Sequence, residues 1–461
     1  MVQAASNPPT PTGRLCVKLA GVSLTALPDR VVDSARLRIV DTLATVVAGA
    51  GMAMNQPYRS AVGRLSPPGQ FLIPGIDRAL PLESAAEAMA ALGHSTECDD
   101  GYRLGSVHPG IVVIPPTVLL AIEQRAHLGQ LIEAVVAGYE ACGLVAQAVH
   151  PVSRQRGFHN TGIAGVIGAA AASARLLALD AERTEAALGL AASGACGLFA
   201  FLHGGGDTKK LHAGHAAREG LRAARLAADG LDGPRDVLEG RDGFLQAFGG
   251  GTELDDGESG WVIERCYTKP YACCRHLHPA LDAARDALRA LDTPAGTIER
   301  VEVETYAIAA EHAHVPWTTP SQAQLSFGYC LAVGLLRGGI VPADMETAMR
   351  EDPDVNRLAE RVAVRTEPSL DRAYPRTRPA RVTIRLADGR SVARSVDDPR
   401  GSPTNPLTRD ELADKTRQLC SGPAGNRKAD ALWTEVAEGC LDKPVTLSLV
   451  RPQGGQVPWF L

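Results

Sequence analysis

TGIAGVIGAAAASARLLAL, residues Thr161–Leu179, decides the class of fold. Glycine lowers helix stability by about 1 kcal/mol relative to alanine. A helix that nevertheless carries Gly162, Gly165 and Gly168 beside Ala169–Ala172 is one buried where neighbouring backbones approach closely. Such a helix needs helical neighbours, and the sequence supplies them on both sides. Upstream, Leu131–His150 is a long periodic segment. Before it, Pro115-Pro116 fits the opening of a helix through Leu119, Leu120 and Ile122, because proline is tolerated in a first turn. Pro81–His94 is alanine-rich, and in Ser34–Gly51 the residues Leu37, Val40, Ala44 and Val47 share one face at helical spacing. Downstream, Thr208–Gly230 is predicted to be a helix closed by Gly230. Aromatic residues are only 4% of the chain, which also favours close-packed helices over a β-sandwich.

The pattern changes after about residue 265. Thr297–Tyr306 alternates Val301, Val303 and Thr305 with Arg300, Glu302 and Glu304, the signature of a half-buried strand. Arg381–Val396 holds Val382, Ile384 and Leu386, then a turn at Asp388-Gly389, then a second extended run, which predicts a hairpin. Helical segments are expected at Gln322–Leu336 and Pro342–Met349, and again at Thr408–Cys420 and Asp430–Cys440. The expected fold is therefore mainly α: a large all-helical domain from 1–264 and 402–461, and a smaller α+β lid domain at 265–401. A cleft is expected at their interface. The first ten or so residues are expected to be a disordered tail, and no repeat of fixed period is present.

With 461 residues the chain is long enough for two or three domains. Its net charge of −5 offers no basic surplus for a phosphate backbone, so nucleic acid is excluded as an expected partner. Ten cysteines scattered through a long chain read as reduced thiols in a cytoplasmic protein. Met1–Arg14 lacks a signal-peptide pattern, and no run of about 18 uninterrupted apolar residues is present, so no membrane span is expected.

Polar residues gather in five strings. The first runs from His94 through Glu97, Asp99, Asp100 and Arg103 to His108-Pro109-Gly110, where carboxylates and imidazoles within fifteen residues shift one another's pKa. Helix capping by the two aspartates is the plainer reading. The second, Gly157-Phe158-His159-Asn160-Thr161-Gly162, puts a histidine before a glycine-rich helix start; no strand precedes it, so it is not a dinucleotide fingerprint. The third, His203 to His215, holds three glycines followed by Lys209, Lys210 and His212, without P-loop spacing; His212 and His215 lie one turn apart, a spacing more often packed than metal-bound. The fourth is Lys269-Pro-Tyr-Ala-Cys-Cys274-Arg275-His276-Leu-His278-Pro279, in which Lys269 and Arg275 suit carboxylate binding and a histidine or thiol suits proton transfer. The fifth is Tyr329 on a predicted helix, as a proton donor or as packing. Imidazole, cationic groups and close-approach glycines together suit acid–base chemistry on a small polyanion.

These strings resemble the MmgE/PrpD family. The resemblance rests on His94…Asp99-Asp100…His108-Pro109-Gly110, Gly157-Phe158-His159-x-Thr161-Gly162, Thr208-Lys209-x-Leu211-His212-Ala-Gly214, Leu238-Glu239-Gly240-x-x-Gly243-Phe244 and the Lys269–Pro279 string, in the family's order. It implies a large helical domain with a smaller α+β lid, a homodimer, and neither a metal nor an organic cofactor. The family includes 2-methylcitrate dehydratase, cis-aconitate decarboxylase and iminodisuccinate epimerase. In its decarboxylase branch an Asp stands two residues before Asp-Asp and a Thr just after; here Glu97 and Gly101 occupy those positions, which lengthens a carboxylate arm and removes a hydroxyl. His108, His159, Lys209, Lys269 and Tyr329 match the remaining pocket positions.

The expected activity is a cofactor-independent lyase, dehydratase or decarboxylase, on a small di- or tricarboxylate. The alternative is an epimerase or isomerase that removes and returns an α-proton. His108, His159, Lys209, Lys269, Tyr329, Glu97 and Asp100 are the expected catalytic set, with Arg103, Lys210, His212, Cys274, Arg275 and His278 as substrate-binding groups.

Overall fold

The computed structural model describes residues 10–204, 206–254, 260–421 and 425–452. The expected N-terminal tail lies outside the described residues, apart from its last position.

The large lobe is a helical bundle. Its principal helices are α1 (Asp29–Gly51), α2 (Leu82–His94), α3 (Pro109–Gln124), α4 (Leu128–Val149), α5 (Gly165–Leu176) and α6 (Thr208–Ala228). Most of the glycine-rich stretch Thr161–Leu179 forms α5, sandwiched between α4 and α6. A side chain on Gly168 would come within 2.5 Å of Cys142 Cβ and 2.9 Å of the Gly138 carbonyl on α4, so backbone contact requires the glycine. The stretch is broken once: Asn160–Ile163 is a separate short turn, joined to α5 through Ala164. By length and composition α4 is apolar enough to cross a bilayer, and 83% of its apolar window is buried inside the molecule.

The proline pair does not open a helix. Helix α3 begins six residues earlier, with Pro109 in its first turn, and Pro115 and Pro116 lie inside it. Both are fully buried, so packing on all sides holds a helix that would otherwise break there.

The small lobe carries helix α7 (His278–Leu291) and a four-stranded sheet. Its strands are β1 (Ile298–Thr305), β2 (Val362–Thr366), β3 (Ala380–Leu386) and β4 (Ser391–Val396), in the order β2-β1-β3-β4. The expected strand and hairpin are β1 and the β3–β4 pair, with Gly389 at φ +90° in the turn. Strand β2, parallel to β1, was not anticipated. Ile298, Val301 and Val303 face the core, while Glu302 and Glu304 pair with Arg385 and Arg381 outside. Between β1 and β2 lies helix α8 (Phe327–Arg337), with Pro320–Ala323 as a separate turn before it, and Pro342–Met349 resolves into a 3-10 turn and one further helical turn.

Helix α9 (Arg409–Leu419) starts on a capping box in which Thr408 and Glu411 exchange hydrogen bonds. It packs on α1, where Lys415 pairs with Asp41 at 2.5 Å and donates to the Cys98 carbonyl at 2.9 Å. The expected last helix, Asp430–Cys440, is shifted toward the N-terminus: a helix over Gly425–Leu432 runs into a π turn at Trp433–Ala437.

Candidate active site

The floor of the site is the turn between α2 and α3. His94 is the last residue of α2, and Glu97 adopts φ +54°, a left-handed conformation that costs a non-glycine residue free energy and persists only where surroundings impose it. What imposes it is a pair of ammonium groups. The Glu97 carboxylate lies against Lys209 on one oxygen and accepts from Lys269 at 3.0 Å on the other. Asp99 accepts from His94 Nδ1 at 2.7 Å and stands 3.4 Å from His108 Nδ1 and 3.7 Å from Lys269. Burial alone would raise the Asp99 pKa. The flanking His94, His108 and Lys269 outweigh it and hold the carboxyl well below its ordinary value.

Asp100 turns the other way. Its carboxylate accepts from the Gly110 amide at 2.9 Å and the Tyr139 hydroxyl at 2.7 Å, which pins the start of α3. A side chain on Gly110 would collide with both partners, hence the glycine of His-Pro-Gly. Burial raises the Asp100 pKa to about 6. The backbone carbonyl of Asp100 accepts from His108 Nδ1 at 2.7 Å, which fixes the tautomer and leaves Nε2 as the basic atom. Burial, with Lys269 and His94 nearby, keeps His108 neutral by lowering its pKa to about 3, against the pull of Asp99.

His159, at the start of the next turn, is also buried and held neutral, first by burial and then by the neighbouring imidazoles. Phe199 and Phe201 meet its ring edge-on at 5.2 and 5.5 Å, and its Nδ1 lies 3.2 Å from His212 Nδ1. The His94 ring lies between, 5.1 Å from His108 and 5.9 Å from His159. Lys209, at the start of α6, is lowered to about 7 by burial and by the charge of Lys269, so it exchanges a proton near neutrality.

These groups line a cleft of about 770 Å³ bounded by both lobes. Glu97, His108, His159, Lys209, Lys269, Cys274 and Arg275 all reach it. The Cys274 sulfur lies 3.8 Å from His312 Nε2. Burial opposes ionisation of that thiol, but His312 and Lys209 overcome it and bring the pKa down to about 6.

Other expected site residues are placed differently. Tyr329 is fully buried, donates to the Asp344 carbonyl and stacks on Trp317 at 6.5 Å, away from the cleft. Arg103 pairs with Asp398 at 3.0 Å and ties the lobes together. Lys210 is held by Asn55 and Asp207, beside an adjoining pocket rather than the main cleft. Arg275 touches the cleft, but its guanidinium donates to the Pro399 and Arg400 carbonyls and to Ser402, anchoring that loop. His278 donates from Nε2 to the Cys273 carbonyl, and its Nδ1 accepts from Arg275. His212 backs His159, and His215 meets Arg218 instead, so the two turn to different partners.

Sequence reasoning missed His150, Arg154, His312 and Arg378, all of which line the cleft. Arg378 stands in a run with Arg372, Arg376 and Arg381 that reads as ordinary surface arginine; only its burial sets it apart.

A helical lobe and an α+β lobe thus meet over a cleft lined by two lysines and five histidines. The MmgE/PrpD N-terminal domain model matches residues 13–256 and the C-terminal domain model matches residues 271–441, and the chain belongs to the MmgE/PrpD family. It is 28% identical over 437 residues to a cis-aconitate decarboxylase of Aspergillus terreus, covering 88% of this chain and 89% of that protein. Cis-aconitate decarboxylases of Mus musculus and Homo sapiens are each 26% identical, over 90% and 89% of this chain and 88% of each relative.

Proposed function

We propose that the protein is a lyase acting on a small di- or tricarboxylate by acid–base chemistry next to a carboxylate. The observation that carries this is the pair of ammonium groups, Lys209 and Lys269, sharing one carboxylate beside a tautomer-fixed neutral imidazole. The two ammoniums face Glu97 and, for Lys269, Asp99 as well, and each has three N–H donors, so those not engaged by these carboxylates can turn their positive charge to a substrate carboxylate. The same charge stabilises the enediolate-like electron pair left on carbon when a proton or carbon dioxide departs. His108 Nε2 is the base or, once protonated, the donor to carbon, with His159 and Lys209 within the same cleft.

Among the lyase reactions, decarboxylation is favoured, because the relatives at 26–28% identity are named for it. The C–C bond to carbon dioxide breaks, its electron pair delocalises into the neighbouring acid, and a proton is then delivered to carbon. The ten free cysteines support a reducing, cytoplasmic setting, and a homodimer is the assembly the resemblance implies.

A second reading is epimerisation. It is favoured by one arrangement: His108 and His159 both stand within 6 Å of His94, two neutral bases of the kind that remove a proton on one face and return it on the other. Incubation with a panel of di- and tricarboxylates in deuterated water separates the readings. Alkene or carbon dioxide release is the expected result. Deuterium at the α-carbon of recovered substrate, with neither product, contradicts the lyase.

A further inference from the structure

The cleft has a second charged end. Arg378 is 3% exposed and lines the cleft, yet among the described residues no carboxylate lies within 4 Å of it. Its Nε has no hydrogen-bond partner. Its surroundings are phenols and imidazoles: the Tyr267 ring centre at 5.5 Å, the stacked Tyr306 and Tyr374, and His276, which shares a 2.5 Å hydrogen bond with Tyr306. A buried guanidinium without an anion is costly, because neither water nor a counter-charge compensates it. Arg275, in the same wall, shows how this chain anchors an arginine structurally, with guanidinium donors to three loop oxygens. Arg378 has no loop carbonyls of this kind: its polar neighbour is the Tyr267 phenol, which is neutral, so the guanidinium has no counter-ion among the described residues.

Imidazole nitrogens without a hydrogen-bond partner line the same wall. His312 Nδ1 and both ring nitrogens of His150 lack partners, and both residues line the cleft. Arg154 stands at the rim, where it pairs with Glu311 at 3.2 Å. We propose that this wall, centred on Arg378 with His150 and His312 as further donors, is a second carboxylate subsite, so that the substrate carries carboxylates at both ends. The proposal rests on the reading of the cleft as a carboxylate site and deepens it. Lys209 and Lys269 hold one end beside the base, and Arg378 neutralises the other. A guanidinium presents paired donors in a plane that matches a carboxylate, which suits it to orienting an acid.

The test is calorimetric titration of the full chain with propane-1,2,3-tricarboxylate, glutarate and butyrate. Arg378→Gln is expected to weaken the first two by about tenfold to a hundredfold, the range of a lost charged hydrogen bond, and to leave butyrate unchanged. Arg378→Lys is expected to recover part of the loss. Should Arg378→Gln not fold, His150→Gln and His312→Gln carry the same selective prediction at about tenfold or less. Equal weakening of all three acids, or none, overturns the subsite. If Lys269→Gln abolishes tricarboxylate binding while Arg378→Gln does not affect it, the subsite falls and the lyase reading stands. If the wild type binds neither polycarboxylate, both fall.

Discussion

Lys269 is the residue on which most of the site's charge balance depends. It is fully buried and faces both Glu97 and Asp99. Lys269→Met would leave two buried carboxylates without that cation, and breaking a buried pair costs about 3–5 kcal/mol. We expect a lower urea midpoint together with at least a hundredfold loss of kcat/KM. Tyr329 gives the opposite expectation. Among the described residues its hydroxyl bonds only the Asp344 carbonyl, so Tyr329→Phe should cost about 1 kcal/mol of stability and leave kcat within about twofold. A collapse of kcat in that variant would place the hydroxyl back in the chemistry. Lys209, Lys269, His108 and His159 were legible in the sequence because reactive residue types stood close together beside glycine. Arg378 was not legible, since burial is a tertiary property, and nothing local separates it from Arg376. Arg275 was over-read for the converse reason: its type suits a carboxylate, but the loop at 399–402 engages it.

Among the elements, α5 was the most readable and α3 the least. The glycines of α5 marked close backbone approach, and Gly168→Leu should prove it: the side chain meets Cys142 and the Gly138 carbonyl, so a loss of 2 kcal/mol or more is expected in denaturant melts. An unchanged midpoint would mean the helices separate easily. Helix α3 defeated the proline rule because tertiary burial outweighs two missing backbone donors. Strand β2 was missed because its five residues are half-exposed or exposed, so its pattern carries little hydrophobic alternation, and its place comes from pairing with β1. The turn from Ser95 to His108 is the element the chemistry depends on. It aims Glu97 and Asp99 toward the lysines while Asp100 holds α3 in register.

Across the whole molecule, the buried imidazoles predict how stability follows pH. His94, His108, His150, His159, His212, His276 and His278 are all held below their ordinary value, each chiefly by burial. Below about pH 6.5 the unfolded chain takes up protons on these groups and the folded chain does not, so stability falls with falling pH. For the enclosed His94, His159 and His278 each proton contributes up to about 1.4 kcal/mol per pH unit, and less for the half-buried His108, His150, His212 and His276, where solvent screens the effect. Urea midpoints should therefore drop steeply between pH 6.5 and pH 4.5, and a flat profile would contradict burial of neutral histidines. The same balance predicts that a polycarboxylate entering the cleft raises these values and draws in protons. Calorimetry in buffers of different ionisation enthalpy would show that uptake. The most direct measurement follows proton delivery to carbon itself: deuterium in the decarboxylated product formed in deuterated water, by NMR, for wild type and His108→Gln, on the di- or tricarboxylate that turns over. Carbon-bound deuterium in the product is expected with the wild type, and its rate of formation should fall about a hundredfold or more with the variant. Labelling by His108→Gln at the wild-type rate would contradict the role of His108 as the donor.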